Sequence, residues 1–318
     1  MADDLVLVLG ATGGVGGAIA DALHARGWRV RAMGRDVKTA AMRHPRFSWV
    51  EGDALNRADV ISAAHGAKVI VHGVNPPRYR NWAGTVVPMI ENTIAAARRE
   101  KARIVFPGTL YNYGLEAFPI VAEDDPQRPH TRKGALRVAM ERKLEEAARS
   151  GASTALIVRA GDYFGPGKIT NSWFTEIVKP NKRVSAITYP GLHDVGHAWA
   201  YLPDLGETVA ALLAREPELA AFERFHFAGH SFERGIAFAE HIRTVLDRNV
   251  PIRPLPWLAL RALAPFAETL RETLEMRYLW TNTLLLDNRK LTRFLGREPH
   301  TPIAEALRVT LAAQGSLM

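Results

Sequence analysis

The sequence predicts an α/β fold, a doubly wound parallel sheet with a smaller C-terminal lobe. Residues Leu5–Leu9 form an apolar run of strand length, typical of a strand buried on both faces of a parallel sheet. Three glycines follow, and then an apolar stripe of helical period that ends at Gly27. Apolar runs and helical stripes alternate as far as Thr154–Arg159, which indicates successive βαβ units.

The composition is typical of a soluble globular protein, with 47% apolar and 23% charged residues in 318. The absence of cysteine excludes disulfides and thiolate chemistry. The net charge of +8 permits an anionic partner, but the arginines are dispersed, which favours a phosphate-bearing cofactor over nucleic acid. The N-terminus does not resemble a signal peptide, and no apolar run reaches the roughly 18 residues of a membrane span. We therefore expect a cytoplasmic protein that binds neither membrane nor nucleic acid.

The first turn of the chain carries glycines at Gly10, Gly13 and Gly16, in the spacing GxxGxxG. Such a turn lets the backbone approach a pyrophosphate, and the following helix N-terminus offers it unpaired N–H groups and a positive dipole end. The alternative is a tight turn without a ligand. The flanking strand and helix favour the dinucleotide site.

The segment GATGGVGG resembles the cofactor loop of the extended short-chain dehydrogenase/reductases, the NAD-dependent epimerase/dehydratase group. The resemblance is specific through Gly167 and topological beyond it. It implies a Rossmann domain over residues 1–162, to which 197–247 return, and a substrate lobe of 163–196 and 248–318. The cofactor contacts that we expect are Gly10, Thr12, Gly13, Gly14, Val15, Gly16, Arg35, Asp53, Ala54, Gly73 and Val74.

The end of the second strand, Trp28–Met33, predicts the choice of cofactor. An acidic side chain there would hold the ribose hydroxyls of NAD, but the sequence has Met33 and Gly34 followed by Arg35. A guanidinium suits a 2′-phosphate, so we expect NADP, with NAD as the alternative. Asp36 is interpreted as a cap of the next helix.

Two further residues near the cofactor have alternative interpretations. The resemblance places Asp53 against the adenine, but it also precedes a helix over Asn56–Ala64 and is equally typical of a helix cap. His72 ends the fourth strand, and we interpret it as structural. The loop Asn75–Trp82 is either a roof over the active site or a surface crossover.

The fifth strand, Arg103–Pro107, leads into a turn that resembles the family's Ser/Thr-x-x-x-Tyr-Gly segment. Thr109 stands where the family's hydroxyl touches the reacting group. Tyr111 stands where the family contacts substrate, and Tyr113 matches its structural tyrosine.

The family's YxxxK motif is absent. The helix that should carry it is predicted over Arg132–Arg149, but Lys133 replaces the tyrosine and Arg137 replaces the lysine. No tyrosine lies between Gly114 and Gly161, so a shifted motif is excluded. Candidate proton donors are Lys133, if burial or Arg137 lowers its pKa, and Tyr111. The alternative is that Lys133 and Arg137 are solvated helix residues.

The sixth strand, Thr154–Arg159, leads into a segment that resembles the family's R-x-x-N-x-x-G-P. Asp162 replaces the asparagine that contacts substrate, and Tyr163 and Trp173 are further candidates. His193, Asp194 and His197 raise the possibility of a metal. However, the two histidines span a glycine and run into a strand, so no metal site is expected.

The C-terminal part contains the candidate lid. Proline-rich, apolar residues 251–280 are interpreted as a lid over the substrate, and Phe225–Ala228 as a further strand of the sheet. Asp204 and Glu207 have capping-box spacing. Asp287 and Thr301 are predicted to begin the last two helices, the first of which ends at Gly296.

The sequence therefore predicts an NADP-preferring oxidoreductase or epimerase-like enzyme that acts on a small carbonyl or hydroxyl compound. One alternative is a catalytically silent NADP-sensing regulator, consistent with the lost YxxxK. Another is a sugar-nucleotide epimerase or dehydratase. The resemblance allows a monomer, or a homodimer that pairs the helices over 85–100 and 132–149.

Overall fold

Fourteen strands, seven of them in one parallel sheet, form the framework of the protein in the computed structural model, which describes residues 4–76, 82–167 and 172–317. The strands are β1 (Leu5–Leu9), β2 (Arg29–Gly34), β3 (Ser48–Glu51), β4 (Val69–His72), β5 (Arg103–Gly108), β6 (Ile120–Val121), β7 (Thr154–Ala160), β8 (Asp162–Phe164), β9 (Ile187–Tyr189), β10 (His197–Tyr201), β11 (Phe222–Phe227), β12 (His230–Phe232), β13 (Ile252–Pro254) and β14 (Leu285–Leu286).

The helices of the described ranges alternate with these strands through the first half of the chain. They are α1 (Gly14–Ala25), α2 (Val37–Arg43), α3 (Arg57–Ala63), α4 (Trp82–Glu100), α5 (Arg132–Arg149), α6 (Phe174–Ile177), α7 (Leu202–Ala214), α8 (Ile236–Leu246), α9 (Trp257–Leu263), α10 (Glu268–Glu275), α11 (Arg289–Leu295) and α12 (Ile303–Ala313).

The main sheet has the order β11-β7-β5-β4-β1-β2-β3, and all its pairs are parallel. The chain winds outward from β1 to β3 on one side and from β4 to β11 on the other. The order therefore reverses between β1 and β4, where a doubly wound sheet opens a crevice at the carboxyl ends of its strands. This confirms the predicted fold class.

Residues of β1 show why the first strand is apolar throughout. Val6 and Val8 pack in a core with α1 and α7, whereas Leu5, Leu7 and Leu9 pack in a second core with α3, α4 and α5. Helices cover both faces, so every side chain of the strand is buried. The run of apolar residues is continuous because both faces of the strand are buried.

A third core lies beyond the main sheet and is rich in aromatic residues. It contains Trp173, Trp199, Phe238 and Trp280, and it joins residues of α6, α8 and α12 to strands β8, β9 and β10. The third strand that pairs with β8 and β10 is β12, in a separate sheet. The sequence-based division into a domain over 1–162 with 197–247 and a lobe over 163–196 with 248–318 stays a prediction.

Several predicted boundaries agree with the structure. The helix predicted over Arg132–Arg149 is α5, and α11 ends at Gly296 with φ of 85°. The predicted capping box on α7 is wrong. Asp204 instead accepts hydrogen bonds from the backbone N and Oγ1 of Thr301, each at 2.7 Å, and Glu207 pairs with Arg26. Both carboxylates are engaged by residues distant in sequence, which local spacing does not report.

Candidate functional site

A cavity of about 610 Å³ opens where the carboxyl ends of β1, β2, β4 and β5 meet. Its walls come from the glycine turn, from the loops after these strands, from α5 and from the start of α7. The loop that follows β7, residues of α4, His197 at the start of β10, and Leu279 and Leu284 also line it. A cleft at this reversal point is where doubly wound folds bind ligands.

The glycine turn is packed too closely to accept side chains. Gly10 has φ of +89°, and a Cβ on it would lie 2.5 Å from the carbonyl oxygen of Gly73. A Cβ on Gly16 would lie 2.4 Å from the carbonyl oxygen of Gly10. Gly10, Thr12, Gly13, Gly14 and Val15 line the cavity, but Gly16 does not. Gly16 therefore acts through close helix-to-turn packing.

The loop after β2 presents Arg35 to the cavity. Arg35 is exposed, and it makes no hydrogen bond or ion pair with the residues that the structure describes. Asp36 does not compete for the same space, because its Oδ1 accepts a 3.1 Å hydrogen bond from the N of Thr39 and caps α2. Hydrogen bonds from the side chain and then the backbone of Thr39 hold the pKa of Asp36 below its usual value. The capping interpretation of Asp36 is confirmed.

The loop after β3 places Asp53 and Ala54 on the cavity wall, opposite Gly73 and Val74. Asp53 Oδ1 accepts a 2.9 Å hydrogen bond from the N of Leu55. The cap of α3 is Asn56, whose Oδ1 accepts from the N of Ala58 at 3.0 Å. The alternative interpretation of Asp53 as a helix cap is therefore wrong.

The other half of the cavity brings together Thr109, Tyr111 and Arg137. Thr109 is nearly buried, and its Oγ1 donates a 3.4 Å hydrogen bond to Oδ1 of Asn112. Arg137 Nη1 lies 3.4 Å from the carbonyl oxygen of Pro107, and its guanidinium lies over the ring of Trp82 at 5.4 Å. Three of the predicted catalytic residues thus share one wall.

A buried ion pair supports the Thr109 turn from behind. Arg159 donates to the carbonyl oxygen of Thr109 and to Oε2 of Glu141, the latter at 2.7 Å. Asn112 Nδ2 donates to Oε1 of Glu141 at 2.8 Å. Arg159 and Glu141 are 1% and 3% exposed, so removal of one partner would leave a buried charge uncompensated. The pair fixes the backbone that carries Thr109.

A sequence profile described as the NAD dependent epimerase/dehydratase family matches residues 6–225. The chain belongs to this family. The match confirms the predicted resemblance to this family.

Three similar proteins illustrate the family's range. A 3-diazoavenalumate denitrifying reductase from a Streptomyces species is 33% identical over 51% of this chain and 57% of its own length. The uncharacterized protein y4nL of Sinorhizobium fredii is 25% identical over 96% of this chain and 93% of its own. The crystal structure of UDP-glucose 4-epimerase from Brucella ovis with NAD has a TM-score of 0.78 at 15% identity, covering 98% of both chains. The chain thus spans little more than half of the reductase, and the epimerase likeness shows the fold alone.

Lys133, predicted from the resemblance to stand in place of the family's tyrosine, does not line the cavity. It is 2% exposed, and its Nζ donates to the carbonyl oxygen of Glu272 at 2.7 Å and pairs with Oε2 of Glu272 at 2.8 Å and of Glu275 at 3.7 Å. Burial lowers the pKa of Lys133, and the two carboxylates oppose that change. The expectation that Lys133 is a proton donor in the cleft is corrected, because α10 holds its amine.

Two of the three candidate substrate residues lie on the cavity wall, and the third lies in the aromatic core. Asp162 and Tyr163 line the cavity, and the Tyr163 hydroxyl donates to the carbonyl oxygen of Gly108 at 3.2 Å. Trp173 lies instead in the aromatic core, with its ring 5.2 Å from that of Trp280 and 6.0 Å from that of Trp257. Burial among other rings removes Trp173 from the cavity wall.

One cavity residue that the sequence left as a possible metal ligand is His197. Its Nε2 lies 2.8 Å from Oδ2 of Asp162, and both residues line the cavity. The described residues contain no group of three or more His, Asp or Glu side chains suited to a metal ion. Sequence reasoning missed the contact between Asp162 and His197 because it depends on the parallel pairing of β8 with β10. In this pairing Asp162 lies opposite Trp199.

His72 is a buried residue of the cavity lining, and its Nδ1 is paired with Thr93. Thr93 Oγ1 donates to the carbonyl oxygen of Met89, so it accepts from His72 Nδ1 at 2.7 Å. Burial, and to a lesser degree the charge of Arg137, lower the pKa of His72 to about 3. These contacts agree with the structural interpretation.

Among the described residues, no helix is both long and apolar enough to cross a membrane.

The buried His72 predicts a specific pH dependence of stability. Its pKa is depressed in the folded state, so below about pH 6.5 the unfolded chain binds a proton that the folded chain excludes. Stability is full above that pH and is lost as pH falls toward 3. Between pH 6 and 4, wild type should lose about 1 kcal/mol more per pH unit than His72→Gln in urea unfolding.

The control is His65→Gln, because the side chain of His65 is 88% exposed. That variant should keep the wild-type slope. A His72→Gln protein whose free energy of unfolding falls as steeply as wild type would show that His72 is charged in the folded state.

Proposed function

We propose that this chain is an NAD(P)-dependent oxidoreductase that prefers NADP and acts on a small carbonyl or hydroxyl compound. The observation that carries the proposal is one continuous cavity. It is lined at one end by the glycine turn and Arg35, and at the other by Thr109, Tyr111 and Arg137. Nucleotide-binding features and groups able to polarise a substrate oxygen therefore share one space.

The residues present fit a dinucleotide. The turn at Gly10 brings backbone, without side chains, to the edge of the cavity, and α1 begins at Gly14 with no side-chain cap. The first N–H groups of α1 thus remain available to a pyrophosphate, and the helix dipole favours its charge. Asp53, Gly73 and Val74 lie where the adenine side of the ligand would pass.

The cofactor, when bound, supplies or accepts the hydride. Thr109 would turn its hydroxyl proton from Oδ1 of Asn112 to the substrate oxygen, and Tyr111 lies on the same wall. Arg137 would hold the nicotinamide ribose, and it stays protonated at all relevant pH values, so it cannot pass a proton. The lining leucines Leu279 and Leu284 favour a small substrate with an apolar part.

The similar proteins bear on the direction of hydride transfer and on the class of substrate. The Streptomyces relative is named as a reductase, which favours hydride transfer to substrate here. The UDP-glucose 4-epimerase shares the fold at 15% identity, which gives no support to a sugar-nucleotide substrate. A silent NADP sensor would bind the nucleotide at the same turn and would show no turnover that depends on Thr109.

The first prediction concerns the glycine turn. Gly13→Asp should abolish nucleotide binding, because a carboxylate there meets the pyrophosphate charge at the start of α1. Gly13→Ala is the matched control, since its Cβ would approach only the carbonyl oxygen of Gly10, at 3.3 Å. Fluorescence titration with NADPH measures both, and unchanged affinity in Gly13→Asp would refute this placement of the cofactor.

The second prediction concerns NADP preference. Arg35→Ala should weaken NADP binding about ten- to a hundredfold, because a charge-assisted bond to the 2′-phosphate contributes roughly 1.5–3 kcal/mol. NAD binding should hardly change. Arg43→Ala removes a nearby exposed arginine that does not line the cavity, and it should leave both affinities intact. Equal losses for NADP and NAD in Arg35→Ala would show that Arg35 does not read the phosphate.

The third prediction concerns turnover. Thr109→Ala and Tyr111→Phe should each lower kcat for an accepted carbonyl substrate, Thr109→Ala by about a hundredfold, while NADPH affinity changes little. Tyr113→Phe is the control, because Tyr113 is fully buried outside the cavity lining and its hydroxyl lies 3.3 Å from His226 Nε2. Wild-type kcat in Thr109→Ala would remove Thr109 from the reaction.

A further inference from the structure

Asp162 and His197 form a hydrogen-bonded pair at the cavity wall. Asp162 begins β8, His197 begins β10, and these strands run parallel side by side. Oδ2 of Asp162 lies 2.8 Å from Nε2 of His197. The pair is largely shielded, with side-chain exposures of 15% for Asp162 and 5% for His197.

The imidazole is held in one orientation. Its ring stacks on Trp280, with centroids 4.0 Å apart and planes 13° apart, and Trp199 lies on another side at 5.3 Å. All five residues of β10 are buried. A ring packed in this way loses little further freedom when a substrate binds, which is the condition for a positioned proton donor.

The carboxylate fixes which ring nitrogen of His197 is protonated. An ionised Asp162 only accepts hydrogen bonds, so Nε2 of His197 carries a proton. The other nitrogen, Nδ1, has no hydrogen-bond partner among residues 4–76, 82–167 and 172–317. His197 lines the same cavity as Thr109. This is the arrangement in which a carboxylate orients an imidazole and the opposite nitrogen exchanges protons.

We propose that His197 is the general acid–base of this site and that Asp162 is its positioning residue. The proposal rests on the oxidoreductase function proposed above, and it replaces the proton donor lost with YxxxK. In reduction, the hydride forms a new C–H bond and the carbonyl π pair moves to oxygen. That oxygen takes the proton from Nδ1 of the imidazolium, which leaves neutral imidazole to be reprotonated by water. Oxidation runs the same steps in reverse, with Nδ1 as the base.

Four other groups near the site do not supply this proton. The guanidinium of Arg137 does not deprotonate, and the amine of Lys133 is bonded to Glu272 outside the cavity lining. The ring of His72 is neutral, and its N–H is donated to Thr93 Oγ1 at 2.7 Å. Thr109 is a neutral hydroxyl and a weak acid. His197 is the described residue of the wall that combines a carboxylate partner with an open ring nitrogen.

The first arm of the test needs no turnover. Ring signals of His197 in ¹⁵N-labelled full-length protein are followed by NMR during titration with NADP⁺. We expect them to shift as the nucleotide binds, and we expect the Nε2–H signal to disappear in Asp162→Asn. The ring of His230 is the internal reference, because it lies on the neighbouring strand β12, is 6% exposed and does not line the cavity.

The second arm measures turnover of 4-nitrobenzaldehyde with NADPH. His197→Gln and Asp162→Asn should each lower kcat about a hundredfold, with KM for NADPH changed less than about threefold. Asp162→Glu, which keeps the carboxylate, should recover part of the loss. His230→Gln should retain wild-type kcat, and urea unfolding confirms that each variant is folded.

Two results would overturn the proposal. One is a set of His197 ring signals that stay fixed while NADP⁺ shifts the amide signals of Gly10 and Gly13. The other is a folded His197→Gln protein that reduces the aldehyde within about threefold of the wild-type kcat. Failure of NADP⁺ to shift those glycine amides at all would instead overturn the oxidoreductase function itself, so the two failures are distinguishable.

Discussion

The site depends on one steric constraint, the contact of three backbone segments without intervening side chains. The turn at Gly10 touches the end of β4 at Gly73, and the first turn of α1 touches Gly10 through Gly16. A single Cβ on Gly10 or Gly16 would lie 2.5 Å or less from a carbonyl oxygen. This contact sets the start of α1 against the reversal point of the sheet, so the unpaired N–H groups of the helix face the crevice.

The same constraint explains why much of the wall could be predicted. Parallel strands end at one edge of the sheet, so residues that directly follow predicted strands converge in space. Arg35 follows β2, Asp53 follows β3 and Thr109 follows β5, and all three line the cavity. Apolar runs locate the strands because helices bury both faces of the sheet. The prediction therefore needed only local patterns and one topological rule.

The residues that sequence reasoning misplaced are set by contacts between distant parts of the chain. Lys133 lies outside the cleft lining because its amine binds Glu272, 139 positions away in the sequence. Trp173 packs against Trp280 in the aromatic core. Asp204 is engaged by Thr301 and does not act as a cap. Helical or strand periodicity carries no information about such partners, because periodicity reports which face of an element is buried and not what covers it.

Helix α5, on which the resemblance predicts Lys133 in place of the family's tyrosine, contacts α10 through its first turn. In this chain its first turn serves as an anchor, since Lys133 and Arg132 both pair with Glu272 of α10. A lysine that is 2% exposed requires these carboxylates, because an unpaired ammonium in that position is strongly disfavoured. The anchor fastens the segment that also supplies Leu279 and Trp280. Trp280 in turn stacks on the ring of His197, so the contact of Lys133 with α10 also helps to hold the proposed proton donor in place.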